Sequence, residues 1–155
     1  MKKEKIQIIQ FETKYAKDFY NLNIEWLEKY FYVEPYDEKV LSNPKKYILD
    51  NKGYIFLAKL NTKIVGVVAL INEKECYELS KMAVSPNYQG LKIGQQLMDY
   101  CIKFSKKKGW KEIMLYSNRK LQPAISLYKK VGFKEVALEQ DVHYERADIK
   151  MKLQL

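Results

Sequence analysis

The stretch Gln89-Gly90-Leu91-Lys92-Ile93-Gly94 joins a strand pattern that ends at Ser85-Pro86 to an amphipathic helix pattern, which makes it a candidate anion site. The first N–H groups of a helix lack partners within it, and the helix dipole favours negative charge there. Gly90 allows close approach of backbone to a phosphate, and Gly94 lets a ligand or a neighbouring strand pack against the helix. The backbone from Gly90 through Leu91, Lys92, Ile93 and Gly94 to Gln95 is therefore the candidate phosphate cradle. Two familiar phosphate loops are excluded, since no Gly-Lys-Ser or Gly-Lys-Thr ending follows and no third glycine completes a dinucleotide fingerprint. A second candidate is Tyr30 to Glu38, where Tyr32, Glu34, Tyr36 and Asp37 mix rings and carboxylates that could hold a cation. No metal is expected, because His143 is the only histidine and Cys76 and Cys101 lie 25 positions apart without a paired-Cys motif.

These residues need a scaffold of mixed α and β elements. Residues 5–12 alternate as a strand, and Thr13 can cap a helix carrying Tyr15, Phe19, Leu22, Trp26, Leu27 and Tyr30 at helical spacing. Asn43-Pro44 opens a short helix to about Asp50, and Gly53 ends it. Strands follow over 54–60, 63–71 and 76–84, the first two joined by a tight Asn61-Thr62 turn, and together they form an antiparallel meander. A helix runs from after Gly90 to about Lys108 with Ile93, Leu97, Met98, Cys101 and Ile102 on one face. Residues 111–116 form a strand, Pro123 opens a helix closed by Gly132, and strands follow at 133–138 and about 144–153. The element order is βα(α)βββαβαββ.

The 155 residues suit one domain, 1–155, with a sizeable core, and 47% apolar residues can fill it. The longest apolar run, Ile64 to Ile71, is far below the roughly 20 residues that cross a bilayer, so no membrane partner is expected. The start Met1-Lys2-Lys3-Glu4-Lys5 lacks the apolar core of a signal peptide, and the isolated cysteines suit reduced thiols; both point to the cytoplasm. Net charge is +9, all of it beyond residue 50, where 19 basic residues meet 10 acidic ones. A nucleotide-containing cofactor would satisfy that excess; nucleic acid is not expected, for want of an aromatic sheet motif or a helix-turn-helix pattern.

The runs Glu78-Leu79-Ser80-Lys81-Met82-Ala83-Val84-Ser85-Pro86, Tyr88 to Gly94, and Ala124-Ile125-Ser126-Leu127-Tyr128-Lys129-Lys130-Val131-Gly132-Phe133 resemble the GNAT superfamily of acetyl-CoA-dependent N-acetyltransferases over about residues 5–153. The resemblance implies an α/β GNAT-like fold: a mixed, mostly antiparallel central sheet of about seven strands flanked by about four helices. It implies acetyl-CoA as co-substrate, with the loop from Gln89 to Gly94 around the pyrophosphate. Lys92 stands where a central glycine is usual, and an ordinary helical φ there would still present its N–H. Leu121 stands where many members carry Asn, and Asn118, further upstream, is the candidate pantetheine contact. Backbone amides of Met82, Ala83 and Val84 resemble the donors that meet the thioester oxygen. Tyr128, on the face with Ala124 and Val131, is implied as general acid for the departing thiolate, and Glu78 as general base for the amine.

The expected reaction is acetyl transfer from acetyl-CoA to a primary amine of a small molecule, peptide or protein by direct attack, with Tyr32, Glu34, Tyr36 and Asp37 as the acceptor's contacts. The alternative is a non-catalytic acyl-CoA-binding or regulatory module with the same fold. A homodimer is left open.

Overall fold

The computed structural model describes residues 5–88 and 90–155, so Gln89, expected in the anion loop, lies outside the described residues. Seven strands form one sheet in the order β1-β2-β3-β4-β5-β7-β6. Their ranges are β1 Ile6–Gln10, β2 Tyr54–Leu60, β3 Lys63–Asn72, β4 Tyr77–Val84, β5 Glu112–Ser117, β6 Lys134–Val136 and β7 Ile149–Gln154. Every neighbouring pair is antiparallel except β4 with β5. The element order expected from the sequence is the order found.

Covering layers explain the hydrophobic patterns. β3 is buried continuously from Ile64 to Leu70, as a strand must be when helices cover both faces. On β2, Phe56, Ala58 and Leu60 enter one core while Ile55 and Leu57 enter the other, the alternation that pleating imposes. Helices α3 (Ile93–Lys107) and α4 (Gln122–Val131) close the first core with Leu97, Met98 and Ile125. Helices α1 (Ala16–Tyr30) and α2 (Pro35–Ser42) close the second with Phe19, Leu27 and Leu41. Among the described residues no helix is long and apolar enough to cross a membrane.

Three local expectations are corrected. Thr13 does not cap the first helix: it opens a 3-10 turn, Thr13–Tyr15, that leads into α1. The stretch from Pro35, to which the spacing assigns no element, is α2, started by a capping box in which Glu34 and Asp37 exchange backbone bonds around Pro35 at the first position. Residues 144–148 are not strand. They belong to a long β6–β7 connection, held there by side-chain bonds such as that from the Arg119 amide to Asp148 Oδ1, 2.8 Å. The short helix after Pro44 is a π-helical turn, Lys45–Leu49.

Two features of the sheet create the site. β4 and β5 pair in parallel at Tyr77 with Ile113 and at Glu78 with Met114, and beyond that the strands part. The β3–β4 ladder is interrupted between Val67 and Ala69, where Lys81 takes a left-handed φ of 54°. That is the geometry of a β-bulge, which bends its strand and increases its twist.

The start of α3 rests on β3 at Gly66, where an added Cβ would lie 2.8 Å from Ile93 Cγ2 and 3.1 Å from Leu97 Cδ1. Gly66→Ala should therefore destabilise the fold by about 1–3 kcal/mol through overpacking. A lower urea midpoint with an unchanged slope checks this.

Candidate active site

Where β4 and β5 part, the space between them becomes a cavity of about 260 Å³. Glu78, Ser80, Met82, Ala83 and Val84 line it from β4, and Tyr116, Ser117 and Asn118 from the β5 side. α4 contributes Ala124 and Tyr128; α1 contributes Trp26 and Tyr30. Tyr128 packs edge-on against Phe133, ring centroids 5.9 Å apart, so the turn after α4 fixes its ring. Burial raises its phenol above the usual tyrosine range, which keeps the hydroxyl protonated at neutral pH.

The start of α3 lies against the cleft wall, where an added Cβ at Gly94 would be 3.8 Å from Met82 Sδ and 3.9 Å from Val84 Cγ2. Gly90 holds φ +90°, and an added Cβ there would meet nothing within 4 Å, so its backbone is open to a ligand. Lys92 precedes α3 with φ 56° and ψ 34°. This corrects the expectation of helical φ at Lys92: the residue occupies the left-handed region that a glycine would enter without strain. The loop therefore keeps the glycine conformation without the glycine.

Glu78 sits at the inner end of the seam, 8% exposed. Burial pushes its carboxyl up, Lys81 opposes the rise, and Glu73 adds to it. Lys81 is pulled down chiefly by burial, against the pull of Asp37 and Glu78. Its side chain is 5% exposed, with Nζ 3.6 Å from Asp37 Oδ1, donating to the Tyr144 hydroxyl and lying 4.3 Å from the Tyr144 ring centre. Asp37, 0% exposed, also receives both arms of Arg146 at 2.7 Å, and Arg146 reaches Glu34 Oε2 at 3.0 Å. Arg146 further lies 4.2 Å from the Tyr144 ring. This ionic cluster ties α2 to the β6–β7 connection and forms the wall of the cleft through Tyr144 and Arg146.

The model of the acetyltransferase (GNAT) family matches residues 16–133. The chain belongs to that family. An uncharacterized N-acetyltransferase of Methanocaldococcus jannaschii is 32% identical over 93 residues, which are 56% of this chain and 41% of that protein. An uncharacterized N-acetyltransferase of Bacillus subtilis is 29% identical over 119 residues, 72% of this chain and 77% of that one. The chain thus spans less than half of the first of these relatives. Among solved structures, a GNAT-family acetyltransferase of Staphylococcus aureus superposes with a TM-score of 0.85 at 24% identity, covering 97% of this chain and 99% of that one. The PaiA N-acetyltransferase of Thermoplasma acidophilum, solved in complex with coenzyme A, gives 0.76 at 23% identity over 97% and 99%. These likenesses establish the GNAT fold.

In this GNAT family member the cleft brings together Glu78, Met82, Ala83, Val84, Asn118 and Tyr128. Asn118 is already engaged, donating from Nδ2 to the Arg146 carbonyl at 2.7 Å and accepting from the Lys120 amide at 2.9 Å. The four residues expected to hold the acceptor are not part of the same cleft. Glu34 and Asp37 are corrected outright: their carboxylates are buried, cap α2, and face Arg146 and Lys81, so no free charge remains there for an amine. Tyr32, 55% exposed, donates to Glu145, and Tyr36 stacks on His143 with centroids 4.6 Å apart. Sequence reasoning missed Lys81, Tyr144 and Arg146. The Glu34-Pro35-x-Asp37 spacing could have revealed the cap of α2, but no local signal marks Arg146 as its partner 109 positions away.

Removing the Arg146 guanidinium would leave two buried carboxylates short of a cation. Arg146→Met should lower stability by about 3–5 kcal/mol. Thermal unfolding against Arg146→Lys, which keeps one charge but loses the two-armed geometry and should retain part of the stability, checks it.

Proposed function

We propose that this GNAT protein transfers the acetyl group of acetyl-CoA to a primary amine by direct attack. The observation that carries the reading is the convergence on one cleft of Glu78, the Met82–Val84 backbone and Tyr128, beside the left-handed loop that opens α3. The residues fit the co-substrate. Backbone from Gly90 to Gln95 would hold the pyrophosphate at a helix start that favours anions, and Asn118, on the wall between the parted strands, would meet the pantetheine arm. Acetyl-CoA, when bound, supplies an acetyl group already activated as a thioester.

The remaining chemistry belongs to the protein. A protonated amine has no lone pair to attack with, so Glu78 takes its proton. Backbone N–H groups from Met82 to Val84 donate to the carbonyl oxygen as negative charge grows on it. The Tyr128 hydroxyl donates its proton to the sulfur as the N–C bond forms and the C–S bond breaks, and the phenolate takes in its place the second proton that the acylated nitrogen sheds on becoming an amide. Its raised pKa supports that role, since a phenol that stays protonated has a proton to give. The acceptor is an amine of a small molecule, a peptide or a protein. Unpaired Cys76 and Cys101 suit a reducing compartment, and we place the reaction in the cytoplasm.

Two substitutions test the roles. A base works only when deprotonated, and burial raises Glu78 from 4.5 to about 7, so kcat/KM should rise with pH through about 7 and level above it. Glu78→Gln should abolish that acid limb, leaving a rise at the higher pH where the free amine loses its own proton; an unmoved limb refutes the assignment. Tyr128→Phe keeps the ring and removes the proton, so turnover should fall on the order of 10²-fold with coenzyme A affinity unchanged. Steady-state kinetics and calorimetry read the two quantities, and wild-type turnover would return Tyr128 to the core.

A further inference from the structure

The buried charges beside the cleft do not balance. Glu34, Asp37 and Glu78 are three buried carboxyl groups, while the cations packed against them are Lys81, whose side chain is buried, and the half-buried Arg146. Arg146 is spent on Glu34 and Asp37. Lys150 and Lys152, which also line a pocket with Glu78, pair with Glu139 and Glu112, and Lys81, beside Asp37, is the cation that acts on Glu78, the two lining one cavity of about 20 Å³.

Their meeting depends on the bulge. Three positions apart on an unbroken strand, Glu78 and Lys81 would point to opposite faces of the sheet. The left-handed φ at Lys81 resets the alternation and turns its side chain to the face that Glu78 occupies. Asp37 and the Tyr144 hydroxyl then hold the ammonium in place.

We propose that Lys81 is a positioning residue for amine activation: its buried ammonium holds Glu78 as a carboxylate, which leaves the cluster one positive charge short and ready to receive the acceptor as an ammonium ion. With the acceptor's cation in the cleft the charges balance, and they stay balanced when its proton passes to Glu78. The net charge of the buried cluster plus substrate does not change during that step. The inference rests on Glu78 acting as the base.

Other groups face the pair from each packed element. Tyr36 and Asp37 come from α2, Tyr47 from the π-helical turn, and Glu73 from the β3–β4 connection. His143, Tyr144 and Arg146 come from the β6–β7 connection, and Tyr116, bonded to Glu139, from β5. Glu73 is the acid that opposes Lys81, since its like charge raises Glu78. The two neighbours should therefore move Glu78 in opposite directions.

The test is a pair of pH profiles on the full chain. Lys81→Gln should shift the acid limb of kcat/KM to higher pH by about one pH unit or more, and Glu73→Gln should shift it to lower pH. General loss of structure would not produce opposite signs, and calorimetry with coenzyme A confirms that each variant is folded. ¹³C NMR of the Glu78 carboxyl should move in step with each limb. In the unsubstituted protein, ¹⁵N NMR of Lys81 Nζ should show a protonated ammonium up to the midpoint of the limb, with its own titration following at about 8. A neutral Lys81 amine in that range overturns the proposal without any variant. So does a Lys81→Gln protein whose limb and Glu78 titration both stay in place while Glu78→Gln has removed the limb. Failure of the reading beneath it looks different: the limb survives Glu78→Gln, or the Glu78 titration moves and the limb does not follow.

Discussion

β4 cannot stay in register with both of its neighbours. It pairs antiparallel with β3 along most of its length but with β5 at Tyr77 and Glu78 alone, and between those two relationships lies a bulge with Lys81 in the left-handed region. A non-glycine residue held at that φ costs about 1 kcal/mol or more, so it persists because surrounding contacts over-determine it. The result is a sheet whose two halves separate in the middle. The cleft, its lining by Met82 to Val84 and the convergence of α1 and α4 on one space all follow from that separation.

The second consequence is electrostatic. Turning Lys81 over places a cation in the interior, and an unpaired buried charge is too costly to keep. Asp37 answers it from the first turn of α2, and Arg146 answers Asp37 and Glu34 from the far end of the chain. The capping box of α2 is thus also the anionic half of the ionic cluster. One pair of carboxylates starts a helix, fixes the β6–β7 connection and shapes the wall of the cleft through Tyr144 and Arg146.

Backbone strain recurs at the other end of the site. Lys92 adopts φ 56° just before α3, next to Gly90 at φ +90°. Left-handed residues are the kind that turn successive amides toward an anion, and the start of α3 adds the positive end of a helix dipole directly after them. Gly66 allows α3 to start close against β3, because any side chain there would meet Ile93. Packing in the core and presentation of amides at the surface are in this way one arrangement.

Much of this was legible in the residues. Alternating and continuous apolar runs identified the strands, since pleating and two-sided burial leave those patterns locally. Gly90 and Gly94 marked the start of α3, and Leu127-Tyr128 with Gly132-Phe133 marked the end of α4, because turns and caps are decided within a few positions. The acids at Glu34 and Asp37 were visible but misread as free charge. A carboxylate's partner is chosen by the fold, and Arg146 stands 112 positions from Glu34 and 109 from Asp37. Likewise a period-two reading of β4 puts Lys81 opposite Glu78, and only the mismatch of β4 with its two neighbours brings them together. Local spacing determined the elements and the candidate residues; tertiary structure decided which charges meet, because long-range pairing and backbone strain leave no trace in spacing.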